Sequence, residues 1–309
     1  MISVLIINYN GKHLLQACLD AARANLPFGT EFIVHDNGSS DGSAIFLAQH
    51  FPDVRLSQSH NNLGFVGGNN AASKLAVGNH LLLLNSDTVV RNSVQPMVDL
   101  LEREPSTWVV GCRLIYGDGS QQESIGKRLG PLSLALSWSP LARWFASLRR
   151  TVPRNSPKYV SDAVDCDWVS GACLMTPSAC WRMLGGLDER YFMYMEDVDY
   201  CEKVHRAGGK IRYTSATVVT HLEGAGRPWL GRRAVLNTAI SYTIYVRKFY
   251  GLAGRVLLGV VLPPVWWLRA CANGLLHLLG RDAHGAEKAI AYFRAGFIVM
   301  LGTNARKPY

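Results

Sequence analysis

Apolar positions along this chain switch repeatedly between two periods. Residues 3–7 form an unbroken apolar run, the pattern of a strand buried on both faces. The run breaks at Asn8-Tyr-Asn-Gly11, and Leu14, Leu15, Cys18, Leu19 and Ala22 then recur at helical spacing. Residues 31–35 predict a second strand, closed by the turn cluster Asp36-Asn-Gly-Ser-Ser-Asp-Gly42 and followed by a helix to about Phe51. Residues 54–56 predict a third strand, and 81–84 a fourth that ends in Asn85-Ser-Asp87. A helix over 93–104 and a fifth strand over 108–115 follow. Strands and helices alternating across short connections predict an α/β fold, a mostly parallel Rossmann-like sheet flanked by helices. Such sheets bind ligands beyond the C-terminal ends of their strands. Asn8, Asp36 and Asp87 each stand at such an end.

Asn61-Asn-Leu-Gly-Phe-Val-Gly-Gly-Asn-Asn70 is a glycine-rich loop leading into a helix over 70–76. Its backbone N–H groups suit a phosphate, but it matches neither GxGxxG nor the P-loop, so a plain turn is the bland alternative. Residues 116–165 lack regular patterning and read as a variable insertion. Within them, the Trp-rich and then basic stretch 136–150 fits a surface helix, an acceptor-side flap or an interfacial element equally well. Residues 165–175 are strand-like, and 210–213 and 217–220 predict the last strands, with His221 directly after them.

Four carboxylates, Glu189, Glu196, Asp197 and Asp199, fall among Tyr191, Phe192, Met193, Tyr194, Met195 and Tyr200. Apolar bulk desolvates a carboxylate and raises its proton affinity, which makes it a useful general base near neutral pH. The residues from Asp197 onward predict a helix ended by Gly208-Gly209, so the acidic pair also suits simple helix capping.

Charge divides the chain. The net +9 arises entirely in residues 225–309, where 12 Lys and Arg face only Asp282 and Glu287. Residues 1–224 carry 20 basic and 21 acidic side chains. The seven cysteines show no CxxC or zinc spacing and predict reduced thiols in a cytoplasmic compartment. The N-terminal run reads as a first strand and not a signal peptide. Residues 256–268 are apolar but too short to span a bilayer, are interrupted by Pro263-Pro264, and are bracketed by Arg255 and Arg269. A second apolar segment, 289–301, contains Arg294. Apolar, Trp-bearing segments flanked by Arg predict helices lying in a membrane interface, with core packing or a homodimer contact as the alternative. The expected organisation is a catalytic domain over 1–225 and a basic, amphipathic helical segment over 226–309.

Several pieces coincide in order: Ile6-Ile-Asn-Tyr-Asn10, Asp36-Asn-Gly-Ser-Ser-Asp-Gly42, Asn62-Leu-Gly-Phe65, Leu84-Asn-Ser-Asp87, Trp168-Val-Ser-Gly-Ala172, Gly185-Gly-Leu-Asp-Glu189, Glu196-Asp-Val-Asp199 and His221. Over about residues 2–225 they resemble the family 2 glycosyltransferases of the GT-A fold, and among them the rhamnosyltransferase-like branch. The resemblance implies a metal-dependent inverting transferase using a nucleotide-sugar donor, with dTDP-L-rhamnose the favoured candidate. The implied acceptor is a glycan or a polyprenyl-diphosphate-linked sugar of cell-envelope polysaccharide synthesis. It implies that Asn8, Asn10 and Asp36 hold the nucleoside and that Asn62 and Gly64 belong to the donor site. Asp87 matches the last Asp of the DxD motif, and His221 matches a His that completes a Mg²⁺ or Mn²⁺ site. Asn85 stands where the family often has the first Asp, a departure that puts metal affinity in doubt. Trp168 and Gly171 match the wall of the sugar pocket. Asp197 matches the catalytic base, with Glu196 orienting it or touching the acceptor.

The chemistry is coherent: an inverting transfer needs a base, a Lewis acid for the leaving diphosphate and a donor held in line, but no protein nucleophile. A dinucleotide-dependent oxidoreductase predicts GxGxxG after the first strand, where this chain has Asn8-Tyr-Asn-Gly-Lys12. A non-catalytic sugar- or lipid-binding module on the same fold, and a transferase using a UDP-sugar, are the remaining alternatives. No nucleic-acid-binding motif accompanies the basic tail, and its apolar segments argue for lipid at the cytoplasmic face of a membrane.

Overall fold

The computed structural model describes residues 1–145, 149–222 and 231–302. The chain forms two compact units. The first comprises residues 1–127, 151–189 and 196–225; the second comprises 128–150, 190–195 and 226–309. The expected boundary at 225/226 falls outside the described residues.

The first unit opens with β1 (Ile2–Asn8), α1 (Lys12–Asn25), β2 (Glu31–Asp36), α2 (Ser43–His50), β3 (Arg55–Gln58), α3 (Gly64–Ser73), β4 (His80–Asn85), β5 (Thr88–Val90), α4 (Gln95–Arg103) and β6 (Thr107–Ile115). The second unit contributes α5 (Pro131–Leu136). The first resumes with β7 (Ile125–Gly126) before that helix, and after it with β8 (Val164–Asp165), β9 (Trp168–Val169), β10 (Cys173–Pro177), α6 (Ser178–Met183), α7 (Glu196–Arg206) and β11 (Lys210–His221). The main sheet runs in the order β3-β2-β1-β4-β10-β6-β11-β5, with β8 beside β11 and a separate β7–β9 pair. β3, β2, β1 and β4 are mutually parallel, and so are β6 and β11; β10 runs antiparallel between β4 and β6.

The unbroken apolar runs are the central strands. Val4 and Ile6 of β1 face a core shared with Leu15 and Leu19 of α1 and Met97, Val98 and Leu101 of α4. Leu5 points to the other face, where α3 packs on β1 and β2. Each such fully buried aliphatic side chain contributes about 1.5–3 kcal/mol of burial free energy. In α7, Glu196, Asp197 and Asp199 occupy the first turn and Lys203, His205 and Arg206 the last, complementing the helix dipole at both ends.

Several expectations need correcting. The helix expected over 70–76 begins at Gly64, directly after a turn in which the Asn62 side chain accepts from the Gly64 N–H at 2.8 Å. The two expected last strands are one, β11, whose register shifts between Thr214 and Val218. The strand-like stretch 165–175 divides among β8, β9 and β10. β5 was not anticipated. The Trp-rich stretch 136–150 contains only the end of α5 and a 3₁₀ turn at Pro140–Arg143 among its described residues.

In the second unit, α8 (Gly231–Leu278) and α9 (Gly285–Leu301) pack against each other, and α5 packs on α8. The Pro263-Pro264 pair does not interrupt α8. The break lies at Gly251, whose φ of 65° and ψ of −157° belong to a region essentially reserved for glycine. The hydroxyls of Tyr245 and Tyr250 both donate to the Leu129 carbonyl, at 3.3 and 2.6 Å. Trp266 is fully buried, whereas Leu252, Val256, Val260, Leu268, Phe293 and Leu301 are exposed.

All seven cysteines are free. Cys18, Cys112, Cys173 and Cys201 are buried, Cys166 and Cys180 are half-buried, and Cys271 on α8 is exposed. Burial pushes the Cys18 thiol up to about 12.

Candidate active site

The C-terminal ends of β1, β2 and β4 carry the first group of polar side chains. Asn8 and Asp36 are register partners, and Asn8 Nδ2 donates to Asp36 Oδ2 at 2.9 Å and to Ser39 Oγ at 3.1 Å. Asp36 Oδ1 accepts from the Ser39 N–H at 2.8 Å. Asn10 adopts a left-handed conformation, φ 52°, which Asn tolerates better than most residues. Its N–H donates to Ser39 Oγ and its Oδ1 accepts from the Ser40 N–H, both at 2.8 Å. Asn8 Oδ1 is buried with no donor among the described residues. The next loop is tied on by Asn37, whose Nδ2 donates to the Gly64 carbonyl at 3.0 Å. Asn8, Asn10, Asp36, Asn62 and Gly64 thus belong to one connected rim. Ser39 and Asn37, which sequence reasoning did not single out, hold it together.

A second group forms where β4, β5 and β11 meet. β5 pairs antiparallel with β11, placing His221 opposite Thr88. That pairing brings His221 Nε2 within 3.3 Å of Asp87 Oδ1 and 3.2 Å of Asn85 Nδ2. The other imidazole nitrogen, Nδ1, lies within hydrogen-bond distance of Gln122 Oε1, at 3.0 Å. Gln122 is buried, and its N–H bonds the Leu114 carbonyl at 2.9 Å. The tautomer that carries its proton on Nδ1 donates to Gln122 and turns the Nε2 lone pair toward Asp87 and Asn85. Asn85 Oδ1 is buried with no donor among the described residues. Among those residues no group of three His, Cys, Asp or Glu assembles for a metal. A carboxylate, an imidazole nitrogen and a vacant amide oxygen nevertheless fit a borderline-hard divalent ion. Gln122 lay in the irregular region 116–165, and nothing in the sequence marks it.

The third group surrounds α7. Asp197 Oδ2 accepts from the Gly171 N–H at 3.0 Å, and its Oδ1 accepts from the Val198 N–H at 2.8 Å. A side chain at 171 would stand 3.4 Å from Asp197 Cβ and 3.5 Å from the Phe65 ring. Trp168 is anchored through Nε1 to the Lys127 carbonyl at 3.1 Å. Asp197 remains partly exposed, whereas Glu196 is buried and its Oε2 has no partner among the described residues. Burial first, then the charges of Asp197 and Asp199, hold the Glu196 carboxyl well above the ordinary carboxylate range. Two adjacent carboxylates thus have unlike environments: one is held by backbone donors and reaches solvent, the other is enclosed. The second and third groups are joined where the Asn85 N–H donates to the Ala172 carbonyl at 3.0 Å.

This sheet and its decorated strand ends are those of the GT-A fold. The mannosyltransferase PcManGT of Pyrobaculum calidifontis, solved with GDP-Man and Mn²⁺, matches over 100% of this chain and 88% of its own, with a TM-score of 0.58 and 16% identity. GalNAc-T7, solved with UDP, GalNAc and Mn²⁺, matches over 96% of this chain and 56% of its own, with a TM-score of 0.62 and 14% identity. The chain belongs to glycosyl transferase family 2, whose profile matches residues 3–164. It is 28% identical over 243 residues to the N-acetylglucosaminyl-diphospho-decaprenol L-rhamnosyltransferase of Mycobacterium tuberculosis, covering 72% of this chain and 76% of that one.

Proposed function

We propose that this glycosyltransferase moves L-rhamnose from dTDP-L-rhamnose to a polyprenyl-diphosphate-linked sugar or related glycan, with inversion, during cell-envelope polysaccharide synthesis. The observation that carries the reading is the partly exposed Asp197 carboxylate, fixed by two backbone N–H groups beside Gly171. Similarity to the mycobacterial rhamnosyltransferase supports the sugar and the lipid-linked acceptor.

Asp197 takes the proton of the acceptor hydroxyl as the new glycosidic bond forms. Glu196, enclosed beneath it, orients it. Asn8, Asn10 and Asp36 hold the nucleoside, while Asn62, Gly64, Trp168 and Gly171 border the donor. Asp87 and His221, with Asn85, hold Mg²⁺ or Mn²⁺, which supplies charge neutralisation for the leaving nucleoside diphosphate. Residues 1–225 supply this chemistry, and 226–309 attach the enzyme peripherally to the cytoplasmic face of the membrane. Helix α8 is, by length and composition, apolar enough to cross a bilayer. Arg255 and Arg269, however, leave only 13 uncharged residues between them, where a span needs about 20. The exposed apolar side chains of α8 and α9 therefore suit an interfacial position.

The test is nucleoside-diphosphate release from a panel of nucleotide sugars with an N-acetylglucosaminyl-diphospho-polyprenol acceptor. Release with dTDP-L-rhamnose alone supports the reading. Preference for a UDP-sugar shifts the donor assignment, and release with no donor favours a binding module.

A further inference from the structure

Among the described residues, the second unit gathers more hydrogen-bond donors than acceptors around Trp138. The Arg150 guanidinium carbon lies 5.5 Å from the Trp138 ring centre and 5.8 Å from that of Tyr242. The Arg269 guanidinium carbon lies 5.4 Å from the same Trp138 ring. Arg269 Nε donates to the Trp138 carbonyl at 2.7 Å. Trp138 Nε1 donates to the Tyr242 hydroxyl oxygen at 3.1 Å, and Arg150 donates to that oxygen as well. Trp266 stands edge-on to Trp138 at 5.7 Å, and its fully buried Nε1–H has no acceptor among the described residues.

Each guanidinium carries five N–H donors and no acceptor. Aromatic faces stabilise the two cations, but no carboxylate among the described residues pairs with either of them. Carboxylates are scarce throughout this unit, which has 17 Lys and Arg against Asp282 and Glu287. Asp282 is already paired with Lys288 at 2.7 Å. The complement to such a cluster is an anion made only of acceptors, and planar guanidinium groups match phosphate oxygens best. Exposed Leu268 beside Arg269, and exposed Trp144 and Phe145 just after Trp138 in the chain, argue that the phosphate arrives on an apolar carrier.

We infer that Arg150, Arg269 and Trp138 form a binding site for a lipid-borne phosphate, either a phospholipid headgroup or the phosphate of a polyprenyl carrier. The inference rests on the membrane reading above and adds a specific site to it. The test is flotation of the full chain with vesicles of phosphatidylcholine alone, with added phosphatidylglycerol, or with added polyprenyl diphosphate. R150Q/R269Q is compared with R281Q/R294Q, which removes equal charge elsewhere in the same unit. Non-specific attraction to anionic lipid acts on every basic residue, so both pairs weaken binding somewhat. The site requires R150Q/R269Q to lose about tenfold more affinity than its control. A selective loss on phosphatidylglycerol vesicles assigns a headgroup, and one confined to polyprenyl diphosphate assigns the carrier. Equal losses overturn the site while leaving the membrane reading standing; wild-type protein that floats with no vesicle overturns both. Arg269 is exposed, so R269Q alone decides the matter, by the same comparison with R281Q, if the double variant does not fold.

Discussion

Asp197 Oδ2 and the Gly171 N–H are joined by a 3.0 Å hydrogen bond across 26 residues of chain. The Val198 N–H adds a second backbone bond, at 2.8 Å to Oδ1, so main-chain donors fix both carboxylate oxygens. Asp197→Asn preserves an acceptor oxygen for that bond and much of the capping ability, so stability changes by about 1 kcal/mol or less. Turnover falls by about two to four orders of magnitude, while donor affinity survives. Melting, donor titration and turnover on one preparation check this; near wild-type turnover would reduce Asp197 to a helix cap.

The metal assignment is tested at Asp87 and Asn85. Asp87→Ala removes the group's carboxylate and should abolish both Mn²⁺ binding and transfer. Asn85→Asp adds a second negative ligand and should tighten Mn²⁺ binding, measured by electron paramagnetic resonance titration. Full activity in excess EDTA would sink the assignment.

Gln122 holds the His221 ring through Nδ1. Gln122→Ala should weaken Mn²⁺ binding by about 10–100-fold, the usual effect of losing an outer-shell partner. Gln122→Glu keeps the acceptor and should retain binding. Unchanged Mn²⁺ affinity in the alanine variant would show that His221 needs no orienting partner.

Glu196 should impose a pH dependence on stability. Its folded-state carboxyl is raised, so its contribution is fully present below the ordinary Glu range and is lost as pH rises toward the raised value. Glu196→Gln cannot ionise. Its melting temperature relative to wild type should therefore climb as pH rises above the ordinary Glu range, where the unfolded chain ionises and the enclosed carboxyl does not. Parallel melting curves for the two proteins above that range would contradict the assignment.

Asn70 fastens the Gly185-Gly-Leu-Asp-Glu189 loop to α3. Its Nδ2 donates to the Leu187 carbonyl at 2.9 Å and its Oδ1 accepts from the Leu187 N–H at 3.0 Å. Asn70→Ala strands both buried backbone groups and should cost about 1–3 kcal/mol in urea unfolding.

The long apolar runs were legible in the sequence because they bury both faces, as β1 and β4 do. β5 was not, since three residues carry no period, yet its pairing with β11 brings Asp87 to His221. The start of α3 was missed because its first turn, Gly64-Phe-Val-Gly-Gly68, is glycine-rich and reads as a loop. The strand-end candidates Asn8, Asp36 and Asp87 were legible because a parallel sheet displays such positions. Gln122 was invisible because its role arises from a contact 99 residues away. Pro263-Pro264 suggested a break that the chain places instead at Gly251.

The distribution of the cysteines makes the native sequence ready for spectroscopy. Six thiols are buried or half-buried, and a shielded thiol yields little reactive thiolate. Cys271 is exposed two positions from Arg269. A maleimide fluorophore added without any mutation should therefore attach there first. Its emission would report whether that turn of α8 sits in water or among acyl chains.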